Sequence, residues 1–263
     1  MENSETPNNI IPMPSVMQKV FDVIRNPATA DVELAKIITD DNALETKVLN
    51  IVNSPYFSFR QKVGSINKAI VILGAMKVKN IVLTILMKQF MVAHGDYELW
   101  EHSVKCAVAC EFLAKEYSVM NTDDAFVVGF MHDIGKTLLN SEDPVKYSKV
   151  KNLASKGNHL LVDVEDAQFH KNHCTLGSQM SEAWKLPLIL THSIKYHHDP
   201  LNSNVPSVCG ILYCSDRLVQ KDIPSPIFDS DVISKLDFII ENPMTLRDTV
   251  LKKASIYLKE INA

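Results

Sequence analysis

At 263 residues with 46% hydrophobic content, the chain is long enough to bury a sizeable core, as one large domain or two closely packed lobes. A formal charge of −4 and a pI near 6.1 provide no broad basic field, which argues against nucleic acid or an anionic membrane surface as a partner. Cys106, Cys110, Cys174, Cys209 and Cys214 are odd in number and form no Cys-x-x-Cys pair, so a disulfide framework or thiolate zinc knuckle is disfavoured and a reducing cytoplasm is the expected setting.

Eight glycines in the whole chain, few alternating segments and recurrent apolar spacings of three and four predict an all-α fold. Residues 1–9 are polar and acidic, carry no visible secretory signal, and are expected to form a disordered tail. Ser15-Val-Met-Gln18 has the form of a capping box opening a helix over 15–25, with Pro27 as its stop. Helices over 31–39 and 42–52 follow, each beginning on a residue suited to N-capping. Asn53-Ser54-Pro55 ends the third, because proline pushes its predecessor away from helical angles. A loop over 56–64 leads to helices over 65–73 and 75–93, split at Gly74. The apolar run 81–87, flanked by Lys77, Lys79 and Lys88, falls short of the ~20 residues that cross a bilayer and reads as a buried helix.

His94-Gly95-Asp96 is the expected boundary between an N-terminal helical lobe, 10–95, and a second helical core, 96–263, although 10–263 can equally be counted as one domain. The second part opens with helices over 97–117 and 123–131, the latter running into His132-Asp133. Asp143-Pro144 opens a further helix that Gly157 closes. Helices over 160–169, 173–184, 188–196, 208–219, 231–240 and 245–261 complete the reading.

The chemistry centres on Val128-Gly-Phe-Met-His-Asp-Ile-Gly-Lys136, with His102, His173, His197, His198 and Asp216 at long intervals around it. Imidazoles and carboxylates together hold a borderline divalent metal that can activate water. Five histidines and two aspartates exceed the four ligands of a structural zinc, which points towards two ions sharing a carboxylate. Neighbouring residues on a helix point about 100° apart, so His132 and Asp133 can serve one ion only where the helix ends; Ile134-Gly135 permits that turn, and Asp133 is the candidate bridge. Glu98, four residues before His102, shares its helix face and offers a further ligand or an orienting group. An ammonium at Lys136 would stabilise charge gathering on a phosphoester; the plain alternative is a solvated lysine at a helix end. His94, His159, His170 and His192 read as surface or supporting residues. Iron, manganese and zinc all suit such ligands.

The order His102, then His132-Asp133 in an H-D-I-G-K run, then Asp216 in Ile211-Leu-Tyr-Cys-Ser-Asp216 resembles the HD phosphohydrolase superfamily. His173 in His173-Cys-Thr-Leu-Gly177 and the pair His197-His198 resemble the additional ligands of its HD-GYP branch, whose members hydrolyse cyclic dinucleotides. That likeness stops at His198, since Asp199-Pro-Leu-Asn-Ser-Asn-Val-Pro206 contains no Gly-Tyr-Pro segment. A fuller match is to the HD-related output domain (HDOD) family of bacterial signalling proteins. It rests on Ile11-Pro-Met-Pro14, Asp41-Asn-Ala-Leu-Glu-Thr-Lys-Val-Leu-Asn-Ile-Val-Asn-Ser-Pro55, Ile66-Asn-Lys-Ala-Ile-Val-Ile-Leu-Gly74 and Trp184-Lys-Leu-Pro187 followed by His197-His198.

This resemblance implies an all-helical module with a regulatory or scaffolding role. The superfamily's ligand roles imply one metal held by His102, His132, Asp133 and Asp216, a second held by Asp133, His173, His197 and His198, and Lys136 facing a substrate phosphate. The expectation is a bacterial signal-transduction output module that binds one or two divalent ions and recognises a signalling protein or a small phosphorylated ligand. Two alternatives stand beside it: a metal-dependent phosphohydrolase with Asp133 and Lys136 as catalytic residues, and a metal-free interaction scaffold.

Overall fold

A computed structural model describes residues 10–25, 30–157, 159–221, 228–236 and 238–262. Every regular element among them is helical. In chain order these are α1 (Ser15–Arg25), α2 (Ala30–Thr39), α3 (Asn42–Val52), α4 (Ile66–Leu73), α5 (Ala75–Ala93), α6 (Tyr97–Tyr117), α7 (Thr122–Met131), α8 (Gly135–Glu142), α9 (Pro144–Gly157), α10 (Leu161–Phe169), α11 (His173–Ala183), α12 (Leu188–Tyr196), α13 (Pro206–Val219), α14 (Ser230–Ser234) and α15 (Pro243–Asn262). A single 3₁₀ turn, Pro200–Asn202, joins α12 to α13. The all-α expectation holds. The tail over 1–9 and the stop at Pro27 lie outside the described residues.

Local polar chemistry sets the helix starts. Asp41 accepts from the amides of Ala43 and Leu44, Ser65 from Lys68, Asn121 from Asp123 and Asp124, and Asn172 from Thr175, each satisfying donors that a first turn leaves without partners. The caps of α1 and α3 therefore differ from the sequence expectation. Ser15 is already helical, with the Gln18 amide bonded to the Pro14 carbonyl, and Asp41 rather than Asn42 caps α3. At the far end of α3, the Asn53 side chain donates to the carbonyls of Leu49 and Val63 and accepts from the Val63 amide at 2.7 Å. It thus closes the 54–63 loop as well as the helix.

Gly74, at φ 85°, turns α4 into α5 through a bend of 119°. No single helix among the described residues is long and apolar enough to cross a membrane. The apolar run of α5 is buried from Val78 to Ile85 and again at Met87, packed against α1, α3, α6 and α7. One hydrophobic cluster extends from Met17 on α1 through Trp100 on α6 to Leu258 on α15, so apolar packing runs continuously across residues 94–96.

The second half departs from the sequence reading in two places. Residues 135–142 form α8, a helix too short and polar to show an apolar stripe, and among the described residues the expected helix over 231–240 shortens to α14. The close approach of α8 to α11 depends on glycine. A Cβ on Gly135 would run into the His173 carbonyl oxygen and lie 2.6 Å from the Gly177 amide nitrogen, contacts that only backbone movement could relieve. Gly135→Ala is expected to lower the unfolding free energy in urea by about 1–3 kcal/mol, the usual cost of overpacking. An unchanged urea midpoint would show that α8 and α11 separate without cost.

Candidate metal centre

Five stretches of chain bring the sequence-predicted ligands together. His102 lies midway along α6. His132 and Asp133 occupy the link between α7 and α8, where Ile134, Lys136 and Thr137 each donate a backbone bond to the carbonyl three residues earlier. This tight three-residue turning lets both side chains face one point. His173 opens α11, His197 and His198 follow the last turn of α12, and Asp216 comes from the third turn of α13. Packing of α6 against α7 and α13, and of α11 against α8 and α12, carries these pieces into a common centre.

The carboxylate of Asp133, only 1% exposed, lies between two groups. Its Oδ2 is 3.1 Å from His132 Nε2 and 3.5 Å from His102 Nε2; His102 Nε2 in turn is 3.1 Å from Asp216 Oδ1. Its Oδ1 is 3.4 Å from His173 Nε2 and 3.6 Å from His197 Nε2. His198 Nε2 completes this second group at 3.2 Å from His173 Nε2. The structure thus brings all seven residues together, in two groups that meet at Asp133.

Three observations fit this donor set to divalent ions. Asp133 Oδ1 is buried and accepts no hydrogen bond, an arrangement that costs free energy unless a cation satisfies it. The Nδ1 of each buried imidazole is occupied elsewhere: His132 donates to the Gly129 carbonyl at 2.8 Å, His197 to the Ile194 carbonyl at 2.7 Å, and His173 to Glu165 Oε2 at 2.6 Å. Each Nε2 lone pair is thereby turned inward, the usual arrangement behind ligating histidines. Hard carboxylate oxygens mixed with imidazole nitrogens also suit iron, manganese or zinc.

Charges in the centre are strongly coupled. Burial alone would raise the Asp133 carboxyl, but His132 and Lys136 hold it well below the usual carboxylate range. Asp216 is likewise held down against burial by its hydrogen bond to His102 and by the charges of His102 and His132. Burial pushes His132 and His198 down, His198 also by repulsion from His197 and His173. His173 rises to about 9 even though burial opposes it, because Cys174 and Glu165 favour its cation.

Some supporting residues had escaped the sequence reading. Glu165 on α10 is fully buried; besides the His173 ring it accepts the His173 amide at 2.9 Å and the Tyr147 hydroxyl at 2.9 Å. Its one sequence signal is a carboxylate four residues after Leu161, on the face that also carries Val164. Cys174 is within ligand reach of the histidine group, but its Sγ lies 3.9 Å from His197 Nδ1, on the side of the ring turned away from Asp133. Lys136 reaches Asp133 Oδ2 at 2.5 Å rather than standing free in solvent. Glu98 is exposed on α6 at the rim of a cavity of about 570 Å³, which also opens onto His102, Asp133, Lys136, His198 and Asp216. Of the histidines set aside, His94 bonds to the Phe90 carbonyl and His170 ends α10 in a left-handed conformation.

The fold and this cluster define an all-helical protein with a histidine and aspartate centre suited to metal. The HDOD domain family model matches residues 10–200, and the chain belongs to that family. A protein of Treponema pallidum (strain Nichols) is 22% identical over 195 residues, which cover 73% of this chain and 38% of that relative's length. Among solved structures, a candidate phosphohydrolase from Shewanella amazonensis SB2B superposes with a TM-score of 0.73 at 19% identity, covering 95% of this chain and 94% of the other. A candidate signal transduction protein from Marinobacter aquaeolei VT8 gives 0.76 at 17% identity, covering 96% of this chain and 59% of the other. These similarities establish a shared fold.

Removing the carboxylate behind His173 tests the arrangement. Glu165→Gln should weaken metal affinity by about 10–100-fold, the range found for groups that orient ligating histidines, measured by competition with a fluorescent chelator. Unaltered affinity would mean that His173 is not a ligand or needs no orienting partner. Metal must also displace the proton that His173 holds up to about 9, and the protonated fraction falls as pH rises. Metal affinity is therefore expected to increase as pH is raised towards that value, with proton release detectable by titration in weak buffer; pH-independent binding would exclude His173 from the ligand set.

Proposed function

We propose that this HDOD chain is a signal-transduction output module whose centre binds two divalent ions and recognises a small phosphorylated ligand. The observation that carries the reading is the shared Asp133, with one oxygen facing His102 and His132 and the other facing His173 and His197. On this reading His102, His132, Asp133 and Asp216 hold one ion, and Asp133, His173, His197 and His198 hold the other. Bound there, the ions would polarise a phosphoryl oxygen and make water a stronger acid.

The chain's own groups supply the remaining parts. Lys136, paired to Asp133 at the cavity floor, keeps an ammonium where phosphate charge would gather. Glu165 and the carbonyls of Gly129 and Ile194 fix the imidazoles. Leu99, Leu161 and Val162 line the cavity and exclude water from one side of a ligand. Five free, buried cysteines support a reducing, cytoplasmic setting, and the ligand or a signalling protein would connect the module to its pathway.

A second reading, hydrolysis of the bound phosphoester, is favoured by the cavity opening directly onto Asp133 and Lys136. Elemental analysis combined with a panel of phosphomonoesters, nucleotides and cyclic dinucleotides, each tested with iron, manganese and zinc, separates the readings. The expected outcome is stoichiometric metal and binding of at least one phosphorylated compound, both lost in His132→Ala. Turnover above that of the variant would establish the enzyme reading. Metal-free protein that resists reconstitution would leave only a helical scaffold.

A further inference from the structure

We infer that the cavity over the metal centre takes an organic phosphoester carrying a second anionic group, and that Arg217 and Lys151 bind this second anion outside the metal ligand set. The inference rests on the reading that the centre itself takes a phosphate.

Arg217 follows Asp216 on α13 and lines the same cavity. Its guanidinium carbon lies 4.2 Å from the Tyr213 ring centroid. Its Nε is buried and has no hydrogen-bond partner, and the side chain forms no ion pair among the described residues. A buried N–H without an acceptor leaves its desolvation uncompensated, and the planar fork of this half-buried side chain matches phosphate or carboxylate.

Lys151, on α9, reaches the cavity with its ammonium 5.4 Å from the Tyr147 ring centroid. It too forms no ion pair among the described residues, whereas Lys136 is already held by Asp133. The cavity thus contains two cations, each set over a tyrosine ring and neither in an ion pair among the described residues, although the charge of Lys151 also acts on the Asp96 carboxyl. Leu160 stands 67% exposed at the same cavity and gives the organic part of the ligand an apolar surface. Asp96, Glu98 and Asp163 also line it, which sets it against a long polyphosphate and in favour of one localised second anion.

Calorimetric titration of manganese-loaded protein with adenosine 3′,5′-bisphosphate and with AMP tests the inference, because the two probes differ by one phosphate. The wild type should prefer the bisphosphate by about tenfold or more, the effect of one charge-assisted contact. Arg217→Gln and Lys151→Gln should each reduce that preference and together abolish it, with AMP affinity and metal content preserved. Lys151 is exposed, so its substitution gives a result even if Arg217→Gln unfolds. No preference in the wild type, a preference that survives both substitutions, or equal weakening of both probes overturns the inference. If the wild type takes up no metal and does not bind AMP, the metal reading is what fails. The second-anion inference is then judged on metal-free protein, where bisphosphate binding must fall on Arg217→Gln; absence of that fall overturns it.

Discussion

A single buried carboxylate, Asp133, imposes the arrangement around it. Each of its oxygens faces a different set of imidazoles, and one oxygen receives no hydrogen bond at all. Burying an ion costs several kcal/mol even after the protein relaxes, so this position is tolerable only if cations share it. Lys136 and the histidines provide part of that charge. Divalent ions would provide the rest without needing protons to lie between imidazoles that stand 3.2 to 3.4 Å apart. The demand propagates outward. The turn at 132–134 must be tight, α8 must begin with a residue lacking a side chain, and each buried imidazole needs an acceptor behind it.

Much of the fold was legible because long apolar helices advertise themselves. The sequence bounds of α5, α6 and α12 coincide with the structure, and Gly74 and Pro187 punctuate where expected. Failures fall where periodicity is weak. The short, polar α8 carries no stripe, so its position is set by what its glycine permits against α11. The C-terminal segment at 231–240 is apolar enough to suggest helix, but among its described residues the helix is the brief α14. Cap positions moved by one residue at Ser15 and Asn42; at the second, Asp40, Asp41 and Asn42 stand together and only geometry selects among them.

The centre divides in the same way. Histidines and aspartates at long intervals were visible as a candidate set, since those side chains are seldom gathered around an H-D-I-G-K run without a reason. Their grouping around the two oxygens of Asp133 required three-dimensional geometry. Glu165 stayed hidden because a glutamate on a helix is ordinarily a solvated residue; only its complete burial between Tyr147 and His173 reveals what it does. Lys136 could be read as a phosphate contact or a surface lysine, and the structure places it against Asp133, at the floor of the cavity.

The central claim, two ions joined through Asp133, is tested most directly by counting metal in variants that damage one half of the centre or both. Elemental analysis should give about two ions per chain in the wild type, as in dinuclear centres generally. Asp216→Ala or His198→Ala should leave about one, and Asp133→Ala none, with circular dichroism showing that the helices persist. A folded Asp133→Ala variant that keeps the full wild-type metal load would contradict the account.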